Sequence, residues 1–313
     1  MGRGRSEATY TLLSAARDIL ETIQPCSVRA VCYQLFTRGL IPSMTKTETN
    51  RISALLTRAR EEDEIPFEWI VQEGRAIERV ATWDDPAAFA RAIQASYRRN
   101  KWAGQARDVI LVSEKGTVRG TLEPVLDTFE VDFLPVGGYG SATRVYELAR
   151  AERALLVLYL GDFDPSGMGM SVQDLPRRLA RYSADPDDAP TKAAIRDWSD
   201  EEVADFLAEG GIEFRRIALT ASDTEDLGLG LSFRASDKTA DSRYAWFVQH
   251  YGDRCWELDA MSPVDLRQRV ETAIQEEIEP VAWERYVRAE AAELESIETT
   301  LSTWNGISGL ARE

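Results

Sequence analysis

Glu114 and the run Gly161-Asp162-Phe163-Asp164-Pro165-Ser166-Gly167 carry the most distinctive chemistry in the chain, because each follows a short apolar run. Side chains alternate along an extended backbone, so Asp162 and Asp164 are expected to project to one side while Phe163 turns to the other and packs. Two hard carboxylates then face one point. That suits Mg²⁺, with Mn²⁺ as a substitute, which takes one or two protein carboxylates, keeps several waters and completes its shell with phosphate oxygens. Glu114, at the end of another apolar strand, is the third expected ligand. Pro165 and Gly167 stop the strand and let the chain turn tightly. The same Asp-x-Asp-Pro-x-Gly spacing also fits an acidic turn that caps the following helix.

Several elements must bring these residues together. Residues 108–113 and 154–160 are apolar runs of the kind covered on both faces of a parallel sheet. Between them the pattern reads helix (about 117–128), strand (131–136), glycine-rich turn and helix (about 141–152). This alternation predicts an α/β fold with a doubly wound, mostly parallel sheet, whose ligands bind outside the carboxyl ends of the strands.

The blocks Ser113-Glu114-Lys115-Gly116, Gly137-Gly138-Tyr139-Gly140 with Thr143-Arg144, and Gly161 to Gly167 occur in that order. Together they resemble the Toprim domain of topoisomerases, primases and certain nucleases. The resemblance implies a Rossmann-like domain in which one glutamate and an Asp-x-Asp pair organise metal for phosphodiester chemistry.

Upstream, residues 7–23 place Leu12, Leu13, Ala16, Ile19, Leu20 and Ile23 at helical spacing, and Pro25 ends the helix. Ser27 is placed to cap a second helix that runs to about Arg38, with Gly39 just beyond. A third helix over 47–63 bears Arg51, Arg58 and Arg60, and residues 65–71 read as a strand that opens a wing. A winged helix-turn-helix of this kind would set those arginines on DNA phosphates. Lys115 and Arg144 are further candidate phosphate contacts.

The second helix reads Ser27-Val28-Arg29-Ala30-Val31-Cys32-Tyr33-Gln34-Leu35. It resembles the Arg-x-x-Tyr-Tyr block of type IIB topoisomerase (topoisomerase VI) A subunits and of the related meiotic double-strand-break transesterase, where a winged helix precedes a Toprim domain. Tyr33 then stands at the nucleophilic tyrosine and Arg29 at the arginine, while Cys32 replaces the first tyrosine. Arg29 lies one helical turn before Tyr33 on the same face. By residue type alone, Tyr33 among Val31, Leu35 and Phe36 reads as a core position.

The resemblance implies a free-standing protein similar to the "Mini-A" group. In it Tyr33 attacks a duplex-DNA phosphodiester and is left as a 5′-phosphotyrosyl end, in composite sites formed across a homodimer. No Gly-x-x-x-x-Gly-Lys-Ser/Thr loop occurs, so ATP use would require a separate ATPase partner. Other functions remain open: a Toprim nuclease similar to plasmid-defence subunits, using activated water, or a DNA-binding and assembly protein without catalysis. The expected organisation is a winged-helix domain over 1–82, a helical connector over 83–107 and the Toprim domain over 108–220. A C-terminal extension over 221–313 ends in one long helix over about 264–302. Glu257 and Asp259 are expected to face water, with support of the metal site as the alternative.

Composition narrows the partners. The net charge of −16 argues against an indiscriminate nucleic-acid binder, yet residues 1–107 hold 16 Lys and Arg against 13 Asp and Glu, and the remainder 21 against 40. A DNA-binding face should therefore draw on the first third. A single histidine, His250, excludes paired-histidine chemistry, and three cysteines at irregular spacing are expected to be reduced. With no long apolar stretch and no basic-then-apolar leader, a cytoplasmic protein without a membrane span is expected.

Overall fold

The computed structural model describes residues 6–70, 80–136, 142–185, 187–226 and 232–310, with side chains up to 302. In chain order the elements are α1 (Glu7–Ile23), α2 (Val28–Thr37), α3 (Lys46–Glu61), α4 (Pro86–Ser96), β1 (Asp108–Ser113), α5 (Val118–Phe129), β2 (Asp132–Pro135), α6 (Ala142–Ala149), β3 (Leu155–Leu160) and α7 (Pro165–Gly169). They continue with α8 (Leu175–Ser183), α9 (Ala189–Ala194), α10 (Asp200–Glu209), β4 (Ile212–Ala218), α11 (Ala221–Asp226), β5 (Phe233–Arg234), α12 (Tyr244–Tyr251), β6 (Arg254–Cys255), α13 (Pro263–Gln275) and α14 (Pro280–Leu310). The glycine block at 137–140 lies outside the described residues.

Contacts divide the chain into two units, residues 1–73 with 109–275 and residues 74–108 with 276–313. The first unit is mixed α/β. Its sheet has the order β2-β1-β3-β4, with β1 parallel to β2 and β3 parallel to β4. All six residues of β3 are buried, which is why this strand reads as an unbroken apolar run. Helices α6, α8 and α10 cover one face through Val145, Leu179, Val203 and Leu207.

The N-terminal helices have their own core. Ser6 and Ser27 each accept a hydrogen bond from the backbone amide three residues on, which satisfies one orphan donor at the starts of α1 and α2. Leu12, Ala16, Ile19 and Leu20 of α1 pack with Val31 and Leu35 of α2 and Ile52 and Leu56 of α3. Gly39 takes φ +69°, the left-handed conformation that ends a helix at little steric cost to glycine. In the same unit, Arg267 of α13 donates to the carbonyls of Ile23, Pro25 and Thr121, tying the end of α1 to α5.

Two expectations are corrected. Residues 65–70 make no strand: a 3₁₀ turn spans Phe67–Trp69, and Ile70 forms only an isolated parallel bridge with Cys26. Pro66 supplies no amide for a ladder, and Ile65 and Ile70 are drawn into the three-helix core. The expected single C-terminal helix is two, α13 and α14. Pro280 has no amide hydrogen to donate, so the first helix cannot run through it, and it opens the next one, where that hydrogen is not needed.

The second unit packs α4 and the segment after it against α14. Tyr97 donates to Glu293 at 2.6 Å, Lys101 lies 2.9 Å from Glu290, and the Trp102 and Trp283 rings meet edge to face. Tyr97, Lys101 and Trp102 are thus engaged within their own unit.

Candidate functional site

Glu114 follows β1, while Asp162 and Asp164 follow β3, the neighbouring strand. All three acidic residues therefore sit at the carboxyl edge of the sheet. The expected alternation holds across the turn. Phe163 is 2% exposed, exchanges backbone hydrogen bonds with Trp256 and packs against the rings of Phe247, Tyr251 and Trp256. Asp162 accepts from the Leu258 amide at 2.7 Å, and Asp164 caps α7 through the Gly167 amide at 2.8 Å. The helix-capping reading of this motif is correct for Asp164.

Gly167 is required by close approach: a Cβ there would lie 2.3 Å from the Asp162 carbonyl oxygen. The turn is consequently held tight enough for residues 162 and 164 to share an edge.

Burial raises the Glu114 carboxyl pKa above its ordinary value, and the charges of Asp162 and Asp164 raise it further, so each aspartate is near enough to repel Glu114. Positive charge is supplied by lysines. Lys115 Nζ lies 2.8 Å from Asp162, and Lys238 pairs with Asp164. Among the described residues, no three His, Cys, Asp or Glu side chains stand ready as a metal cage. The donor chemistry nonetheless fits a hard divalent cation: a partly buried set of carboxylates whose mutual repulsion a cation would relieve. Such an ion would have to displace Lys115 and Lys238 from Asp162 and Asp164.

Glu257 and Asp259, expected to face water, belong to this network instead. Lys115 also lies 3.3 Å from Asp259 and 3.8 Å from Glu257, and Arg29 donates to Glu257 at 2.8 Å and lies 3.4 Å from Asp259. The turn at 258–260 packs against α2, and the bridge between Phe163 and Trp256 carries the two acidic residues toward Asp162. Burial drives the Asp259 carboxyl pKa up, with Lys115 and Arg29 working against it. Glu257 and Asp259 alternate about a buried Leu258, as Asp162 and Asp164 do about Phe163. That repetition is a sequence signal from which their place in the site could be read.

Tyr33 lies on the same helix, one turn after Arg29, and is 5% exposed. Burial pushes its hydroxyl pKa far up, the Glu257 charge adds to that, and Arg29 opposes it. The phenol in this conformation is therefore protonated and shielded, although the site's charges reach it. The cysteines are free and buried, Cys32 among them.

The candidate DNA-contacting residues do not form one group. Arg51 and Arg58 are exposed on α3 and pair along the helix with Glu48 and Glu62. Arg60 is 6% exposed, with its guanidinium over the Phe67 ring. Arg144 is exposed on α6 and pairs with Glu147 at 2.7 Å. Lys115 belongs to the acidic network. His250 accounts for itself locally, its Nδ1 lying 2.8 Å from the Trp246 carbonyl. Among the described residues no helix is long and apolar enough to cross a membrane.

No protein-family model matches the chain, and no curated protein or solved structure matches it either.

Proposed function

We propose that the chain is a metal-dependent DNA strand-cleaving transesterase, resembling topoisomerase VI A subunits, with the three-helix bundle α1–α3 as a DNA-binding module and the sheet unit as a Toprim-like module. One observation carries the reading. An unbroken path of ion pairs runs from Arg29, beside Tyr33, through Glu257, Asp259 and Lys115 to Asp162, all within one compact unit. A chain that brings a tyrosine-bearing helix to the rim of a carboxylate cluster has the two components that phosphotyrosyl chemistry needs.

In this reading Tyr33 Oη bonds to a backbone phosphorus as the bond to the 3′ oxygen breaks. The phenol loses one proton and the 3′ oxygen takes up one as it leaves as a hydroxyl, so the exchange is proton-neutral overall. Glu114, Asp162 and Asp164 would hold Mg²⁺, which supplies charge stabilisation at the phosphoryl group when bound. Arg29 favours the phenolate and orients the helix. Arg51 and Arg58, the exposed arginines of α3, hold duplex phosphates. Coupling to ATP would come from a separate subunit.

A second reading, a hydrolase that uses activated water, is favoured by the burial of Tyr33 and its raised pKa. One experiment separates the two. The purified protein is incubated with end-labelled duplex DNA and Mg²⁺, then denatured and resolved for covalent protein–DNA adducts. The transesterase forms adducts that vanish in Tyr33→Phe and in Asp162→Asn with Asp164→Asn. Asparagine at 164 can still cap α7, so loss there reports charge rather than fold. Cutting without adducts, retained in Tyr33→Phe and lost in the aspartate variant, would establish the hydrolase instead.

A further inference from the structure

Strand β4 carries a side chain to the acidic turn from across the sheet. Tyr159 of β3 pairs with Arg216, but the next residue, Leu160, pairs with Ala218, so Ile217 is an extra residue in β4. A bulge of this kind bends a strand and re-aims its side chains. Arg216 lies directly before it, with its guanidinium over the Tyr159 ring at 5.4 Å.

The guanidinium has five N–H donors, and five acceptors meet them. Nε donates to the Leu219 carbonyl at 2.7 Å. Nη1 donates to the Gly167 carbonyl at 3.0 Å and to Ser171 Oγ at 2.6 Å. Nη2 donates to the carbonyls of Gly161 at 2.8 Å and Asp162 at 2.6 Å. Three of these acceptors bracket the acidic turn at its first, second and last residues. Among the described residues no carboxylate pairs directly with Arg216. Its charge acts through space on Asp162 and Asp164, whose side chains leave the same backbone.

Resting on the reading of Asp162 and Asp164 as site residues, we infer that Arg216 is their positioning residue, bracing the backbone of 161–167 from beneath. The need for a brace is electrostatic. Asp162 and Asp164 each repel Glu114, and a turn free to relax would carry them away from it. Arginine suits the position because a planar fork reaches several carbonyls at once. Lysine offers three donors from a single point and can satisfy only part of the set.

The test uses the full-length, metal-free protein. Hydrogen exchange by mass spectrometry is compared for wild type, Arg216→Gln, Arg216→Lys and Leu207→Ala, the last a core truncation in α10 that leaves the turn untouched. Amides of 161–168 are tied to Ala218, Trp256 and Asp164, so they report the turn directly. They should exchange about tenfold faster or more in Arg216→Gln, by an intermediate factor in Arg216→Lys, and at the wild-type rate in Leu207→Ala, with β1 unchanged throughout. Mn²⁺ affinity by calorimetry should fall in the same order. If Arg216→Gln does not fold, Arg216→Lys, which keeps the cation, decides the question. Wild-type protection of the turn in a folded Arg216 variant overturns the inference, as does equal deprotection in Leu207→Ala. Failure of the wild type to bind Mn²⁺ would instead refute the metal reading, and the exchange rates would still decide Arg216.

Discussion

Replacing Gly167 by alanine tests how tightly the acidic turn is built. The added Cβ would meet the Asp162 carbonyl oxygen at 2.3 Å, about 1 Å inside ordinary contact, and both partners are backbone-borne, so no side-chain rotation relieves the clash. Either α7 or residue 162 must move. Besides its ion pair with Lys115, residue 162 makes two hydrogen bonds to or from a charged group: Arg216 to its carbonyl at 2.6 Å, and the Leu258 amide to its carboxylate at 2.7 Å. Bonds of that type contribute about 1.5–3 kcal/mol each. Losing one and stretching the other gives a destabilisation of about 2–4 kcal/mol, a fall of roughly 5–15 °C in the unfolding temperature of a unit of this size. Gly210→Ala is the matched control, because the atoms a Cβ would meet there stand at 3.4 and 3.5 Å and its φ is −77°. It should shift the transition by no more than about 0.5 kcal/mol. Scanning calorimetry of the two variants beside wild type reads the difference. A Gly167→Ala protein within about 0.5 kcal/mol of wild type would show that the turn yields freely, and the argument from close approach would fail.

Tyr33→Phe removes only the hydroxyl and should leave the unfolding temperature within about 1 kcal/mol of wild type while abolishing covalent adducts on DNA; persistence of adducts would reassign the nucleophile. Arg51→Ala and Arg58→Ala should each reduce the slope of log affinity against log salt for duplex DNA by roughly one, and an unchanged slope in both would move the DNA face off α3. In the second unit, burial alone would raise the Glu290 carboxyl pKa, but the Arg99 amide and the Lys101 ammonium hold it below its ordinary value. A lowered folded pKa stabilises the protein above the ordinary carboxylate range, and that contribution is lost as pH falls through the folded value. Glu290→Gln should therefore cost about 1–3 kcal/mol at neutral pH and converge with wild type in acid, measured by thermal melts across pH; parallel curves would contradict this.

The elements were legible because their signals are local. Burial on both faces makes β3 a continuous apolar run, and Ser27 with Gly39 bounds α2, since capping and left-handed φ are decided within a few residues. The wing strand was misread because Ile65 and Ile70 look equally apolar whether they line a strand or plug a helical core. The C-terminal helix was read through Pro280 because its apolar spacing continues on either side.

By itself the sequence determined that Glu114, Asp162 and Asp164 follow the ends of strands, that Phe163 turns inward between the two aspartates, and that Arg29 and Tyr33 share a helical face. Strand period, helix period and turn chemistry suffice for each of these. Only tertiary structure decided which cations answer those carboxylates. Lys238 reaches Asp164 across 74 residues and Arg29 reaches Glu257 across 228, distances over which no local pattern carries information. Arg216 meets the turn because of a bulge one residue long, which shifts the register without altering the apolar pattern that a reader of sequence can see.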